Sequence, residues 1–190
     1  MLQSKNLAIG KIRTSFGVKG HVKILNFSGE SSHFLKLDII SLEKGQLHEK
    51  KKIENISVHG ADIIIKFEGI DTPEDARKYI DWEIWVPREK ASKLKKGEYY
   101  IADLIGCTLV PPKKAAEAAA VPAPAVPAVY GKIISILDGA GINDLLEVES
   151  PDPDEKNGKK VFLIPFRSEF IGQVDIEAGT VELTAEWIIP

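Results

Sequence analysis

The chain has 190 residues, 44% of them apolar and 28% charged, with a formal net charge of −3 and a single cysteine. That balance suits one large or two small globular domains and excludes a disordered polyelectrolyte, while a lone cysteine excludes an intrachain disulfide or a multi-thiolate metal centre. No run approaches the roughly 18 apolar residues needed to span a bilayer, and the first residues lack the apolar core of a secretion signal, so a cytoplasmic protein without membrane contact is expected.

In chain order, strands dominate. The opening run from Ile9 to Leu25 interleaves apolar residues, glycines and cations, and no acidic residue precedes Glu30. Lys5, Lys11, Arg13, Lys19 and Lys23 therefore carry positive charge that nothing nearby in sequence neutralises. They lie on alternating segments expected to be strands over 8–14 and 21–27. A rigid basic strand surface is suited to holding a phosphate backbone. Further strands are expected over 38–42, 51–59, 62–67 and 83–86, separated by turn residues, a spacing that implies a small closed barrel or a sandwich.

One helix interrupts this pattern. Thr72 is suited to the N-cap, Pro73 to the first helical position, and Glu74 and Asp75 to the positive helix end. Ala76, Tyr79 and Ile80 then share a face that closes over a barrel end. The charged stretch 88–97 reads as a hinge between domains.

A second all-β pattern follows, with strands expected over 99–102, 108–110, 131–137, 145–149, 160–164, 173–176 and 180–183, and turns at 138–141 and 177–179. Cys107, within an apolar run, reads as a buried strand residue. Residues 111–129 are rich in Ala and Pro and of low complexity, either a linker or an insertion in a hairpin. Charge also divides the chain: residues 1–98 hold 18 Lys/Arg against 14 Asp/Glu, residues 99–190 hold 7 against 14. The first half is expected to face nucleic acid and the second a basic protein.

Gly10-Lys11-Ile12, Phe16-Gly17-Val18-Lys19-Gly20-His21-Val22-Lys23, Gly69-Ile70-Asp71-Thr72-Pro73-Glu74-Asp75-Ala76 and Val86-Pro87-Arg88-Glu89 together resemble the amino-terminal domain of the RimM family of ribosome maturation factors. Gly97-Glu98-Tyr99-Tyr100-Ile101-Ala102-Asp103-Leu104-Ile105-Gly106, Gly131-Lys132-Ile133, Asn143-Asp144-Leu145-Leu146-Glu147-Val148 and Leu163-Ile164-Pro165-Phe166 resemble its PRC-type barrel. The resemblance implies a mainly β protein with one or two short helices and two small β-barrel domains, at 1–90 and 98–190, joined by a linker at 91–97. The Ala/Pro segment at 111–129 is then an insertion in the second barrel. It also implies a non-enzymatic assembly factor for the head of the maturing 30S subunit, contacting 16S ribosomal RNA and ribosomal protein S-nineteen. The alternative is a PRC-barrel adaptor that binds proteins without RNA.

Candidate residues follow from both lines. Lys11, Arg13, Lys19, His21 and Lys23 are the candidate RNA contacts. Gly17-Val18-Lys19-Gly20 matches the G-x-x-G that clamps backbone in KH domains, but its strand-like flanks favour a turn with positive φ. Tyr99 and Tyr100, as strand neighbours, should point to opposite faces, one into the core and one outward. The resemblance assigns this pair to the region that engages the head protein, with Asp103, Leu104, Ile164, Pro165 and Phe166 as an extension, core packing being the expected fate of Leu104 and Ile164. Glu147, Glu149, Asp152, Asp154 and Glu155 would steer a basic partner.

No cofactor is expected. The four histidines lack metal-ligand spacing, and neither a nucleophile elbow nor a phosphate-binding Gly-rich loop is present. Asp71 with Glu74 reads as helix capping rather than acid–base chemistry. A monomer is the simpler expectation.

Overall fold

The computed structural model describes residues 4–28, 30–60, 62–112, 129–137, 144–151 and 160–189. The chain divides into two compact units, one of residues 4–95 and one beginning at Lys96.

The first unit is a closed six-stranded barrel of β1 (Asn6–Phe16), β2 (His21–Asn26), β3 (Ile39–Lys44), β4 (Leu47–His59), β5 (Asp62–Phe67) and β6 (Glu83–Pro87), in the order β1-β2-β5-β4-β3-β6. Every pairing is antiparallel, and β6 returns to β1 to close the ring. Closure leaves no free strand edge and gives each strand one inward face. Ile12, Val22, Ile63, Ile65 and Ile84 fill that interior and are fully buried. β4 begins earlier than its apolar residues suggest because Leu47–Lys52 complete the ladder to β3 with mostly exposed side chains.

A 3-10 turn over Ser32–Lys36 drives Phe34 into the barrel. Gly10 lies beneath it: a Cβ there would approach the Leu25 carbonyl oxygen at 2.8 Å, Ile24 Cγ2 at 2.9 Å and Phe34 Cζ at 3.4 Å. Only a residue without a side chain fits that crossing of β1 under Phe34. The expected helix is present as α1 (Pro73–Arg77), capped where Thr72 Oγ1 accepts from the Asp75 amide at 3.2 Å. Ala76 is buried from α1, whereas Tyr79 and Ile80 lie in the turn beyond it and are only half-buried. Asp71 and Glu74 do not cap: Asp71 holds Lys66 Nζ at 2.8 Å, and Glu74 faces Arg77 at 3.7 Å.

The segment after β6 stays with this unit. The Arg88 amide donates to the Lys5 carbonyl at 2.9 Å, Ala91 is buried, and Ser92 Oγ reaches Glu30 Oε2 at 3.4 Å.

The second unit is a six-stranded sheet of β7 (Thr108–Val110), β8 (Gly131–Leu137), β9 (Leu145–Glu149), β10 (Val161–Pro165), β11 (Ile171–Asp175) and β12 (Thr180–Leu183), in the order β10-β9-β8-β7-β12-β11. One hydrophobic cluster draws on all six strands, including Leu109, Ile133, Leu146, Ile164, Ile171 and Val181. The sheet therefore wraps around a common interior, as a barrel fold requires. β7 pairs β12 in parallel, with Leu109 opposite Val181. Hairpin patterning does not reveal this pairing, which joins the unit's first and last strands in chain order.

One expected element is wrong in kind. The strand expected over 99–102 is absent: Tyr99 and Tyr100 are irregular, and the chain then makes one helical turn, α2 (Ile101–Leu104). The Ile105 amide donates to the Ile101 carbonyl at 3.1 Å and the Cys107 amide to Leu104 at 3.0 Å. The cause is packing. Leu104 and Cys107 must both reach the interior, while Ile101 and Ile105, four residues apart, remain on the outside, a helical rather than a period-two pattern. Cys107 is fully buried just before β7, its Sγ on the Asp103 carbonyl at 3.2 Å. Burial, followed by the nearby Asp103 charge, pushes the thiol up from its ordinary range.

The readings made for 113–128, for the turn at 138–141 and for Asp152, Asp154 and Glu155 fall outside the described residues.

Candidate functional site

Two surfaces carry the candidate residues, one on each unit. On the barrel, β1 and β2 form a hairpin in which Phe16 faces His21, Thr14 faces Lys23 and Lys11 faces Leu25. Partners across an antiparallel ladder share a face, so these side chains form one outward row. The register slips between Ile12 and Thr14, making Arg13 the extra residue of a bulge and leaving it exposed.

The five candidate RNA residues are not equivalent. Lys11 Nζ pairs with Asp81 Oδ1 at 3.3 Å, and Lys23 Nζ with Asp62 Oδ2 at 2.7 Å. The expectation of un-neutralised charge fails at these two positions because the barrel brings back acids distant in sequence. Arg13 and Lys19 form no ion pair among the described residues, and His21 is half-buried opposite Phe16.

The turn is rigidly seated. Gly17 and Gly20 have φ of 65° and 71°, the left-handed region that favours glycine, which bears out the turn reading over the KH-like clamp. A Cβ on Gly20 would overlap the Ile70 carbonyl and press on the Thr72 amide, so the hairpin base rests directly on the backbone leading into α1. That backbone is itself tied down by Lys66, whose buried amine reaches Asp71 at 2.8 Å, Glu54 at 3.1 Å and the Phe67 carbonyl at 3.0 Å. Asp71 first, then Glu54, holds the Lys66 amine above its ordinary range despite the opposing effect of burial.

On the second unit, Tyr99 packs half-buried against the core with its ring edge-on to Phe166, centroids 6.1 Å apart at 81°. Tyr100 is also half-buried, but the two reach these positions as irregular chain and not as alternating strand neighbours. Asp103 is buried, its amide donating to the Tyr100 carbonyl at 2.9 Å. Pro165 closes β10 and is half-buried, as is Phe166, whose amide donates to the Asp144 carbonyl at 2.8 Å.

Leu104 and Ile164, at 2% and 0% exposure, take the expected core positions, so they are not contact residues and can only support the surface from beneath. Sequence reasoning missed the exposed Ile101, next to Tyr100 at the start of α2, and Ile105 just past its end, and the half-exposed Phe16 and outlying Val18 on the hairpin. The signal for the first pair was their four-residue spacing around a buried Leu104.

Among the described residues no three metal-ligating side chains gather, and no helix is long and apolar enough to cross a membrane.

Residues 7–91 match the model of the RimM N-terminal domain, and residues 101–189 that of the RimM PRC barrel domain. A ribosome maturation factor RimM of Treponema denticola is 40% identical over 96% of this chain and 98% of its own length. One from Clostridium botulinum is 30% identical over 93% and 92%. A solved structure of a 16S ribosomal RNA processing protein RimM from Pseudomonas aeruginosa aligns over 94% of this chain and 96% of its own, at 23% identity and a TM-score of 0.42.

Proposed function

Since the chain belongs to the RimM family of ribosome maturation factors, we propose that it binds the head of the maturing 30S subunit, contacting 16S ribosomal RNA through the first barrel and ribosomal protein S-nineteen through the second unit. It acts by binding, as a monomer, without catalysing a covalent step. The observation that carries this reading is the segregation of surface chemistry. Arg13 and Lys19 stand without ion pairs among the described residues of one unit, while the other gathers Tyr99, Tyr100, Ile101 and Phe166 in a half of the sequence with a twofold excess of acids.

Each surface suits its partner. Exposed cations on a rigid hairpin gain affinity by displacing counterions from a phosphate backbone. Tyrosines flanked by half-exposed aliphatics make interface anchors, and the acidic excess steers a basic ribosomal protein toward them. Two modest contacts made by one chain reinforce each other because the second is effectively intramolecular. Release then requires that later assembly disrupt only one of them.

The test is direct binding of the full chain to ribosomal protein S-nineteen, alone and within a head-RNA complex, for the native sequence and for Tyr99→Ala/Tyr100→Ala, both checked for folding by circular dichroism. Loss of about 2 kcal/mol or more in the double variant supports the reading. Equal binding by both moves the protein site elsewhere. Failure of the folded native chain to bind either target overturns the proposed partners.

A further inference from the structure

Resting on the RNA-binding half of the proposed function, we propose that the β1–β2 hairpin takes unpaired RNA, with an unstacked base seated on the Phe16 ring and the adjoining phosphates held by Arg13 and Lys19. Three observations lead there.

The first is the aromatic. Phe16 ends β1 with half its surface exposed, and Val18 at the turn is 81% exposed, although the barrel interior is already filled by other residues. Phe16 shares the outward face with His21, directly across the ladder.

The second is the number of cations. With Lys11 and Lys23 engaged by Asp81 and Asp62, the hairpin is left with Arg13 and Lys19. Binding to a duplex through its backbone alone gains affinity in proportion to the number of phosphates neutralised. Two cations beside an aromatic instead match the stacking platform and electrostatic track by which single strands are held, every base offering a π-face to the ring.

The third is rigidity. Gly20 wedged on the Ile70–Thr72 backbone and the Lys66–Asp71 pair beneath fix the hairpin before any ligand arrives, which lowers the ordering cost of binding.

The experiment compares a fluorescently labelled single-stranded RNA of mixed sequence, lacking self-complementarity, with a fully paired RNA of equal length, titrated with the full chain and with Phe16→Ala, Phe16→Tyr and Arg13→Ala/Lys19→Ala. The expected result is preference for the single strand. Phe16→Ala should weaken it roughly tenfold with an unchanged salt slope, Phe16→Tyr should retain affinity, and the double charge variant should flatten the slope. Single-strand binding that is indifferent to Phe16→Ala, or preference for the paired RNA, overturns this inference while leaving RNA binding intact. Absence of binding to both RNAs removes the RNA-binding reading itself. Because Phe16 is a surface residue, its variants are expected to fold, and circular dichroism checks this.

Discussion

The hairpin of the first barrel and the tyrosine segment of the second unit are built by opposite means. On the hairpin, regular pairing dictates where each side chain points, so Phe16, His21, Thr14 and Lys23 fall on one face through the ladder alone. At Tyr99 and Tyr100 no ladder operates: their positions depend on the single turn of α2, on Leu104 and Cys107 being drawn inward, and on the edge-on contact with Phe166. A surface set by backbone pairing should tolerate exchange of its exposed side chains, whereas one set by packing should move when a buried neighbour is changed.

The sharpest way to break the barrel's half of this comparison is to remove its plug. Phe34→Ala, vacating a fully buried ring above Gly10, should cost about 3–5 kcal/mol, read as an early denaturation transition of the first unit. Next in size is Gly20→Ala. At φ 71° and without room for a Cβ against the Ile70 carbonyl, it should cost about 2 kcal/mol or more and weaken RNA binding although no exposed cation has changed. An unchanged stability curve would mean that the hairpin is not seated on the α1 entry.

A pH titration sharpens the contrast further. His33 is buried with neither ring nitrogen hydrogen-bonded, and Nδ1 stands 3.5 Å from Glu30 Oε2. Burial holds its pKa below the ordinary 6.5, with Glu30 opposing more weakly. The folded barrel therefore disfavours a proton that the unfolded chain accepts. The neutral imidazole's contribution is present above pH 6.5 and lost as the pH falls through the folded value. Chemical denaturation of the first unit between pH 7 and pH 5 should show declining stability, and His33→Leu should flatten that decline. The second unit supplies the control, since no buried histidine occurs among its described residues.

The smallest effect concerns single charges. Arg13→Ala and Lys19→Ala should each reduce the log–log salt slope of single-strand binding by about 0.7. Lys11→Ala and Lys23→Ala should reduce it less, because Asp81 and Asp62 already neutralise those amines.

The same contrast explains what the sequence made legible. Period-two alternation located every barrel strand, and Thr72 with Pro73 and Asp75 marked the one capped helix, because both signals are local. The ion pairs of Lys11 and Lys23 were invisible because Asp81, in the turn before β6, and Asp62, at the start of β5, lie far along the chain. Four apolar or aromatic residues in succession before Asp103 imitated a strand at 99–102, since so short a run carries no period of its own and only burial of Leu104 decides for a helix. The parallel β7–β12 pair was hidden for a similar reason: three residues of β7 cannot announce a partner 72 positions later.

The central claim is that the two surfaces serve different partners, and a crossed binding experiment tests it most directly. The full chain, Arg13→Ala/Lys19→Ala and Tyr99→Ala/Tyr100→Ala are each titrated against head RNA and against ribosomal protein S-nineteen. The first variant should lose RNA and keep the protein, and the second should do the reverse. Loss of both partners by either folded variant, or the opposite assignment, would contradict it.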